Sequence, residues 1–219
     1  MRDKVIVTIF LIASFGASSV YSDSWTLPET RTYYSENTEF RFTVIPRSLR
    51  SQLHFFSDKV EGREPAGALP GGQLFCLGIL SRKKADGSYE PVWQGALTND
   101  VSPVSAILSS SGEYVVTFDN WHSMGYGKNA IVIYGPGGNL IRELALTDLM
   151  PQEEVARLPR SVSSIWWGRD HQIDKSGKFL IVKIFADKNS RFDRNPEFRM
   201  LYIELASGRI FSPDEVPEV

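Results

Sequence analysis

The chain has 219 residues and a formal net charge of −2, and it is 42% apolar and 12% aromatic. This composition excludes an intrinsically disordered chain, and the length suffices to bury a sizeable core without disulfides. The mildly acidic balance argues against a nucleic-acid-binding protein, which usually carries a basic stripe.

The N-terminus has the layout of a secretory signal peptide. Two basic residues precede an apolar run from Val5 to about Ala17, and small residues follow it. The run is shorter than the roughly 20 residues that a membrane-spanning helix needs. We therefore expect residues 1–22 to be cleaved during export to the periplasm or the extracellular space; cleavage after Ala17 or Ser19 and an uncleaved anchor are the alternatives. Residues 23–219 then form one domain without a membrane span.

Three segments share one pattern, in which a polar turn and an aromatic anchor precede a strand-like run. The anchors are Phe40, Tyr114 and Phe179. After each anchor come an apolar run, a glycine turn and another run, and glycine supplies the positive φ that a tight hairpin requires. Each segment is thus predicted to be a four-stranded antiparallel meander. The three units cover residues 31–97, 104–150 and 171–212 approximately.

Cys76 is the only cysteine, so no disulfide can form within the chain. It lies in a strand-like apolar run, which favours a buried, inert thiol over a reactive one.

One short helix is predicted near residues 151–158, with Pro151 in its first turn, acidic residues early and Pro159 as its stop. A second short helix over Ser48–Phe56 is an alternative. The first unit carries an excess segment, Pro46–Gly72, for which we expect the role of a cap or a lid.

The sequence of anchor, apolar strand and glycine hairpin resembles the blades of β-propellers, loosely those of the WD-repeat and YVTN classes. The run VVTFDNWHSMGYGKNAIVIYG is also similar to a segment of exported bacterial proteins of unknown function. The resemblance implies an all-β fold with three four-stranded antiparallel meander units stacked as an incomplete β-propeller-like arc. Propellers usually close with four to eight blades. The three predicted units are too few to close such a ring. A hidden fourth blade, a capped open arc or a ring of two chains would account for the difference. An ordinary sandwich or barrel is the alternative fold.

Alternate connections of a meander lie at the same edge of its sheet. This places the 119–127 and 161–171 loops on one rim, where polar and aromatic side chains gather. Flat tryptophan faces beside carboxylates suit a sugar ring or a peptide, although tryptophans in blade loops also fill gaps between blades. The candidate ligand-binding residues are Asp119, Asn120, Trp121, His122, Tyr126, Trp166, Trp167, Arg169, Asp170 and His171.

The leading functional hypothesis is an exported binding or scaffolding module whose rim contacts a protein, a peptide or a glycan. The alternative is a hydrolase or lyase that uses His122 and His171 with Asp119 or Asp170, with or without a metal. A third possibility is a subunit that completes a propeller as a homodimer. No sequence motif indicates a cofactor or a dedicated metal site.

Overall fold

The structure is a computed structural model that describes residues 25–185 and 197–216. The predicted signal peptide lies outside the described residues. The described chain contains twelve β-strands in three antiparallel sheets and three short α-helices, so it is mostly β, as predicted. Within these residues, no helix has the length and apolar character needed to cross a membrane.

Each sheet is a four-stranded meander whose strands pair in chain order. The first sheet contains β1 (Arg31–Tyr34), β2 (Phe40–Ile45), β3 (Leu77–Lys83) and β4 (Tyr89–Ala96). The second contains β5 (Pro103–Leu108), β6 (Val115–Asn120), β7 (Ile131–Tyr134) and β8 (Leu140–Leu144). The third contains β9 (Gln172–Ile173), β10 (Phe179–Phe185), β11 (Phe198–Glu204) and β12 (Ile210–Phe211).

The turn between the first two strands is built in the same way in all three sheets. In each, the backbone N–H of the aromatic anchor donates to a side-chain oxygen five residues earlier. The pairs are Phe40 with Ser35 at 3.0 Å, Tyr114 with Ser109 at 3.0 Å, and Phe179 with Asp174 at 2.8 Å. A short polar side chain that bonds nearby backbone is a typical turn former. The same local chemistry therefore starts the second strand of every sheet.

The second sheet lies between the other two and is buried on both faces. One apolar cluster joins it to the first sheet and includes Phe42, Leu80, Trp93 and Tyr134. Another joins it to the third sheet and includes Ile133, Trp167, Leu180 and Val182. All four residues of β7 are consequently buried. The strand β5 contacts both β1 and β9, so the first strands of the three sheets are neighbours.

The helices are α1 (Gln52–Glu61), α2 (Leu146–Leu149) and α3 (Gln152–Arg157). The position of α3 matches the predicted helix near residues 151–158. The helix α1 overlaps the second short helix considered over Ser48–Phe56 but continues five residues beyond it. One helix was too few, since the described residues contain three. Ser51 caps α1 by accepting from the His54 N–H, and Gly62 ends it in the left-handed conformation. Only Phe55 of this helix is buried, so its sequence has little apolar periodicity.

Candidate functional site

The two loops predicted to form the rim lie against each other. Met124 pairs with Ser164 in an isolated parallel bridge, and the Ile165 N–H donates to the Met124 carbonyl at 2.8 Å. The Tyr126 hydroxyl donates to the Ser161 carbonyl at 3.1 Å. These bonds fix the 119–127 loop to the 161–171 loop beside the ends of β6 and β10.

Asp119 occupies the centre of this junction. It is 6% exposed, and its backbone is left-handed with a φ of 57°, a conformation that Asp and Asn adopt more readily than most residues. Its carboxylate accepts the Gly125 N–H at 2.6 Å and the Trp167 indole N–H at 3.1 Å. Burial raises the pKa of Asp119 to about 7, although both hydrogen bonds act to lower it. Its bonds therefore organise the loop from inside.

His171 is held by aromatic rings rather than by the carboxylates. Its imidazole stacks on Trp167 at 4.6 Å and on Phe118 at 4.8 Å between centroids. Its Nδ1 accepts the Lys183 backbone N–H at 3.1 Å. Burial, and then the charge of Lys183, lowers the pKa of His171 to about 4. The ring is thus neutral near pH 7 and acts in packing.

His122 lies in a different aromatic group from His171. Its ring centroid is 4.2 Å from that of Phe56, 5.6 Å from that of Trp121 and 5.7 Å from that of Trp25. Phe56 belongs to α1, so the excess segment of the first unit packs onto the rim. The two histidines therefore contact different partners. Among the described residues, no three His, Cys, Asp or Glu side chains are grouped to hold a metal ion.

The two central tryptophans are interior residues. Trp121 is 7% exposed and Trp167 is 1% exposed. The Trp121 indole N–H donates to the Thr26 carbonyl at 2.8 Å, as the Trp167 indole does to Asp119. The expectation that both present flat faces to a ligand is corrected by this burial, since each indole needs its internal partner and its apolar ring fills the space between segments.

The remaining candidates lie nearer the surface. Arg169 and Asp170 form an exposed ion pair with 3.4 Å between Nε and Oδ2, and Arg169 also lies over the Phe185 ring. Trp166 is half-buried, and its backbone N–H donates to the Pro159 carbonyl. The Arg169 and Asp170 side chains are accessible because both are exposed, and an exposed ion pair of this kind contributes little to stability.

A buried polar network supports the rim from below. Asn99 donates to the Asp119 carbonyl at 2.9 Å and to Asn120 Oδ1 at 2.8 Å, and it accepts from Thr117. Asn120 donates in turn to Asn129, which donates to Glu143 Oε1 at 2.8 Å. Sequence reasoning did not single out Asn99 or Asn129. In the sequence, both are polar residues close to the ends of predicted strands. Ordinary turn residues show the same pattern, so it did not distinguish them.

Arg47 is a second residue that sequence reasoning missed. Its side chain is almost fully buried, and Nη2 lies 3.2 Å from Asp100 Oδ1. It also donates to the carbonyls of Asp100 and Ala66. A buried guanidinium requires such partners, and these bonds attach the excess segment to the connection between β4 and β5.

A cleft of about 410 Å³ opens beside this junction. It is lined by residues 25–31, residues 102–104 and Trp121. The Arg31 guanidinium donates across to the Val104 carbonyl at 3.1 Å, and the Trp25 indole donates to Ser163 Oγ at 3.1 Å. The Trp25 bond and the bond from the Trp121 indole to the Thr26 carbonyl tie the segment that precedes β1 to both rim loops. Glu29 and Arg31 stay exposed at the cleft.

The chain matches no protein-family model, no curated protein and no solved structure.

Proposed function

We propose that this chain is an exported binding module, built as an incomplete propeller-like arc, and that it holds a peptide or a glycan in the cleft beside Trp121. Residues 25–31 and 102–104 form the ligand-contacting surface. The exposed Arg169 and Asp170 of the 161–171 loop extend this surface along the rim.

The observation that carries the proposal is the chemistry of the cleft lining. Trp25 and Leu27 supply aromatic and apolar surface, while Glu29 and Arg31 supply one charge of each sign. The exposed lining is more polar than apolar, whereas sites for drug-sized ligands are mostly apolar, so the cleft favours a ligand rich in hydrogen-bonding groups. Peptides and sugars combine apolar faces with hydrogen-bonding groups, so both suit this lining.

The residues around the cleft are held by hydrogen bonds, which favours binding. Trp121 and Trp25 are each held by an indole hydrogen bond, and the Gln52 side chain donates to the Trp25 carbonyl. Residues whose rotamers are fixed before binding lose little conformational entropy when the ligand arrives. A cleft anchored to α1 and to both rim loops meets this condition.

The hydrolase or lyase alternative receives less support from the same geometry. Asp119 and His171 have the most shifted pKa values among the rim residues. Asp119 is buried, and His171 is half-buried with its ring stacked on Trp167 and Phe118. An acid–base residue has to reach its substrate within hydrogen-bond distance. The internal bonds of both residues favour a structural role.

The experiment is a screen of residues 23–219 against peptide and glycan arrays, followed by calorimetric titration of any ligand found. Glu29→Ala and Arg31→Ala should each weaken binding at least about tenfold, the range expected for a lost charged contact. Glu36→Ala, exposed in the turn between β1 and β2, is the matched control and should bind like the parent chain. Ligands that bind all three variants equally well would remove the cleft from the proposal.

A further inference from the structure

The outer face of the third sheet is largely apolar but contributes to none of the three buried clusters of the described residues. The register places Leu180, Val182 and Ile184 on the inner face, against the second sheet. Successive side chains of a strand point to opposite faces. The outer face therefore carries one cation, Lys183, among apolar and aromatic side chains, none of which belongs to a cluster of the described core: Phe179, Ile181, Phe185, Phe198, Met200, Tyr202 and Phe211. Phe179 and Phe185 are buried. Met200 is 39% exposed.

The first sheet has a matching uncovered face. Phe42 and Leu80 point to the second sheet, so the alternate residues Arg41, Thr43 and Ile79 point outward. Arg41 lies over the Tyr89 ring at 4.5 Å, and its Nε is buried without a hydrogen-bond acceptor. This face thus offers a cation and β-branched side chains, which suit an aromatic surface.

Neighbouring sheets within the chain are joined by one repeated contact. In this contact, a side chain from the last strand of one sheet covers a glycine in the last hairpin of the sheet that follows it in the chain. A Cβ at Gly138 would lie 2.6 Å from the Trp93 ring, and a Cβ at Gly208 would lie 2.6 Å from Arg142 Cδ. Trp93 pairs with Leu80, and Arg142 pairs with Ile133. The step from the first sheet to the second is therefore the same as the step from the second to the third.

Each end of the arc has one half of this contact. In the third sheet, the Tyr202–Phe211 pair occupies the position of the Leu80–Trp93 pair, so Phe211 corresponds to Trp93. In the first sheet, Gly87 lies in the hairpin that corresponds to those of Gly138 and Gly208, but nothing lies within 4 Å of a Cβ built there. At one end of the arc, Phe211 has no following sheet whose hairpin glycine it could cover. At the other end, Gly87 has no preceding sheet to supply a covering side chain.

We propose that two copies of this chain join end to end, the third sheet of each packing on the first sheet of the other, to close a ring of six sheets. Phe211 of each copy covers the Gly87 hairpin of the other. Closed propellers have four to eight blades, and six is the only multiple of three in that range. Two equal contacts give a twofold-symmetric, closed assembly. The proposal depends on the arc-like stacking of the sheets and is independent of ligand binding in the cleft.

The first test is the solution mass of residues 23–219 by light scattering at micromolar concentrations. The expected mass is that of two chains. Met200→Glu and Tyr202→Glu place a charge on the outer face and should give a single-chain mass with cooperative unfolding retained. Val162→Glu, at a side chain that is 92% exposed elsewhere, is the control and should remain a dimer. A single-chain mass for the parent, a dimer that both face variants leave intact, or an open series of larger oligomers would overturn the proposal.

The second test is disulfide formation between introduced cysteines, which is clean because Cys76 is buried. Phe211→Cys combined with Ser88→Cys, next to Gly87, should yield a covalent dimer upon oxidation. The control pair is Phe211→Cys with Ser110→Cys, which lies in an exposed turn of the second sheet and should stay monomeric on a denaturing gel. Equal crosslinking of both pairs, or none of the first, would contradict the ring. Adding Glu29→Ala or Arg31→Ala to the Phe211→Cys and Ser88→Cys pair should leave crosslinking unchanged. A failure of the cleft proposal is thereby distinguishable from a failure of the ring proposal.

Discussion

Trp167 donates its indole N–H to the carboxylate of Asp119 at 3.1 Å, and this buried bond joins two loops 48 residues apart in the sequence. The same carboxylate accepts the Gly125 N–H within its own loop. Asp119 thus closes the 119–127 loop on itself and fastens it to the 161–171 loop. Because the carboxylate is almost inaccessible to water, each donor has a large effect on its charged form.

Trp167→Phe should destabilise the protein by about 1–3 kcal/mol, the cost of leaving a buried acceptor without one of its donors. The loss should be larger at pH 8 than at pH 5, because Asp119 is ionised only above its pKa of about 7. Urea unfolding at both pH values measures the difference. A double-mutant cycle with Asp119→Asn isolates the bond itself, and equal losses at the two pH values would argue that the indole acts by packing alone.

Much of the strand arrangement could be predicted because it is encoded locally. The turns before Phe40, Tyr114 and Phe179 need only a polar residue, a positive φ and an aromatic anchor within a few positions. The helix α1 was harder to predict, since its one buried side chain, Phe55, gives no periodic pattern. Its position depends on contacts with Trp121, which lies far away in the sequence.

The candidate site could be predicted only as far as the two loops that form it. Hairpin alternation places both loops at one edge, but it does not say which side chains point inward. The rings of Trp121 and Trp167 pack in apolar clusters. Their indole N–H groups tolerate this burial because Thr26 and Asp119 accept from them. Those acceptors are set by tertiary structure, as is the cleft beside residues 25–31, which the sequence pattern did not indicate.

The free energy of unfolding should depend on pH through two opposing groups. Burial raises the pKa of Asp119 from 3.8 to about 7, so its contribution to stability decreases as the pH rises through this interval. Burial lowers the pKa of His171 from 6.5 to about 4. The contribution of His171 to stability therefore increases as the pH rises from about 4 to 6.5. Each slope is about 1.4 kcal/mol per pH unit at most. The two slopes have opposite signs and should nearly cancel between about pH 4.5 and about pH 6 in the parent protein.

Asp119→Asn removes one of these slopes and separates the two effects. Asn tolerates the left-handed backbone at this position. The variant should gain stability with rising pH below about 6.5, from His171 alone. It should also be more stable relative to the parent at pH 8 than at pH 5. Thermal unfolding across this range measures both trends, and parallel profiles for the two proteins would disprove the assignment to Asp119.

The Cys76 thiol should be unreactive in the folded protein. Burial raises its pKa to about 12, and its side chain is enclosed in the cluster between the first two sheets. Since the thiolate is the reactive form, a maleimide reagent should add no mass at pH 8 under native conditions and one label after unfolding. Ser88→Cys, in an exposed turn, is the positive control and should gain one label in the native state. Rapid native labelling of Cys76 would show that this cluster opens readily.

Gly168→Ala tests whether the approach of the 161–171 loop to β10 is as close as the structure has it. A Cβ at Gly168 would lie 2.0 Å from the Lys183 carbonyl oxygen, beside the bridge to Ile184. The substitution should therefore cost about 3 kcal/mol, because backbone must move to relieve the overlap. Gly95→Ala is the matched control, since nothing lies within 4 Å of a Cβ there, and it should change stability by less than about 1 kcal/mol. In Gly168→Ala, displacement of the 161–171 loop should also weaken the hydrogen bond from Trp167 to Asp119. The chemical shift of the indole N–H resonance reports this change. Similar unfolding free energies for the two variants would mean that the loop does not press on the strand.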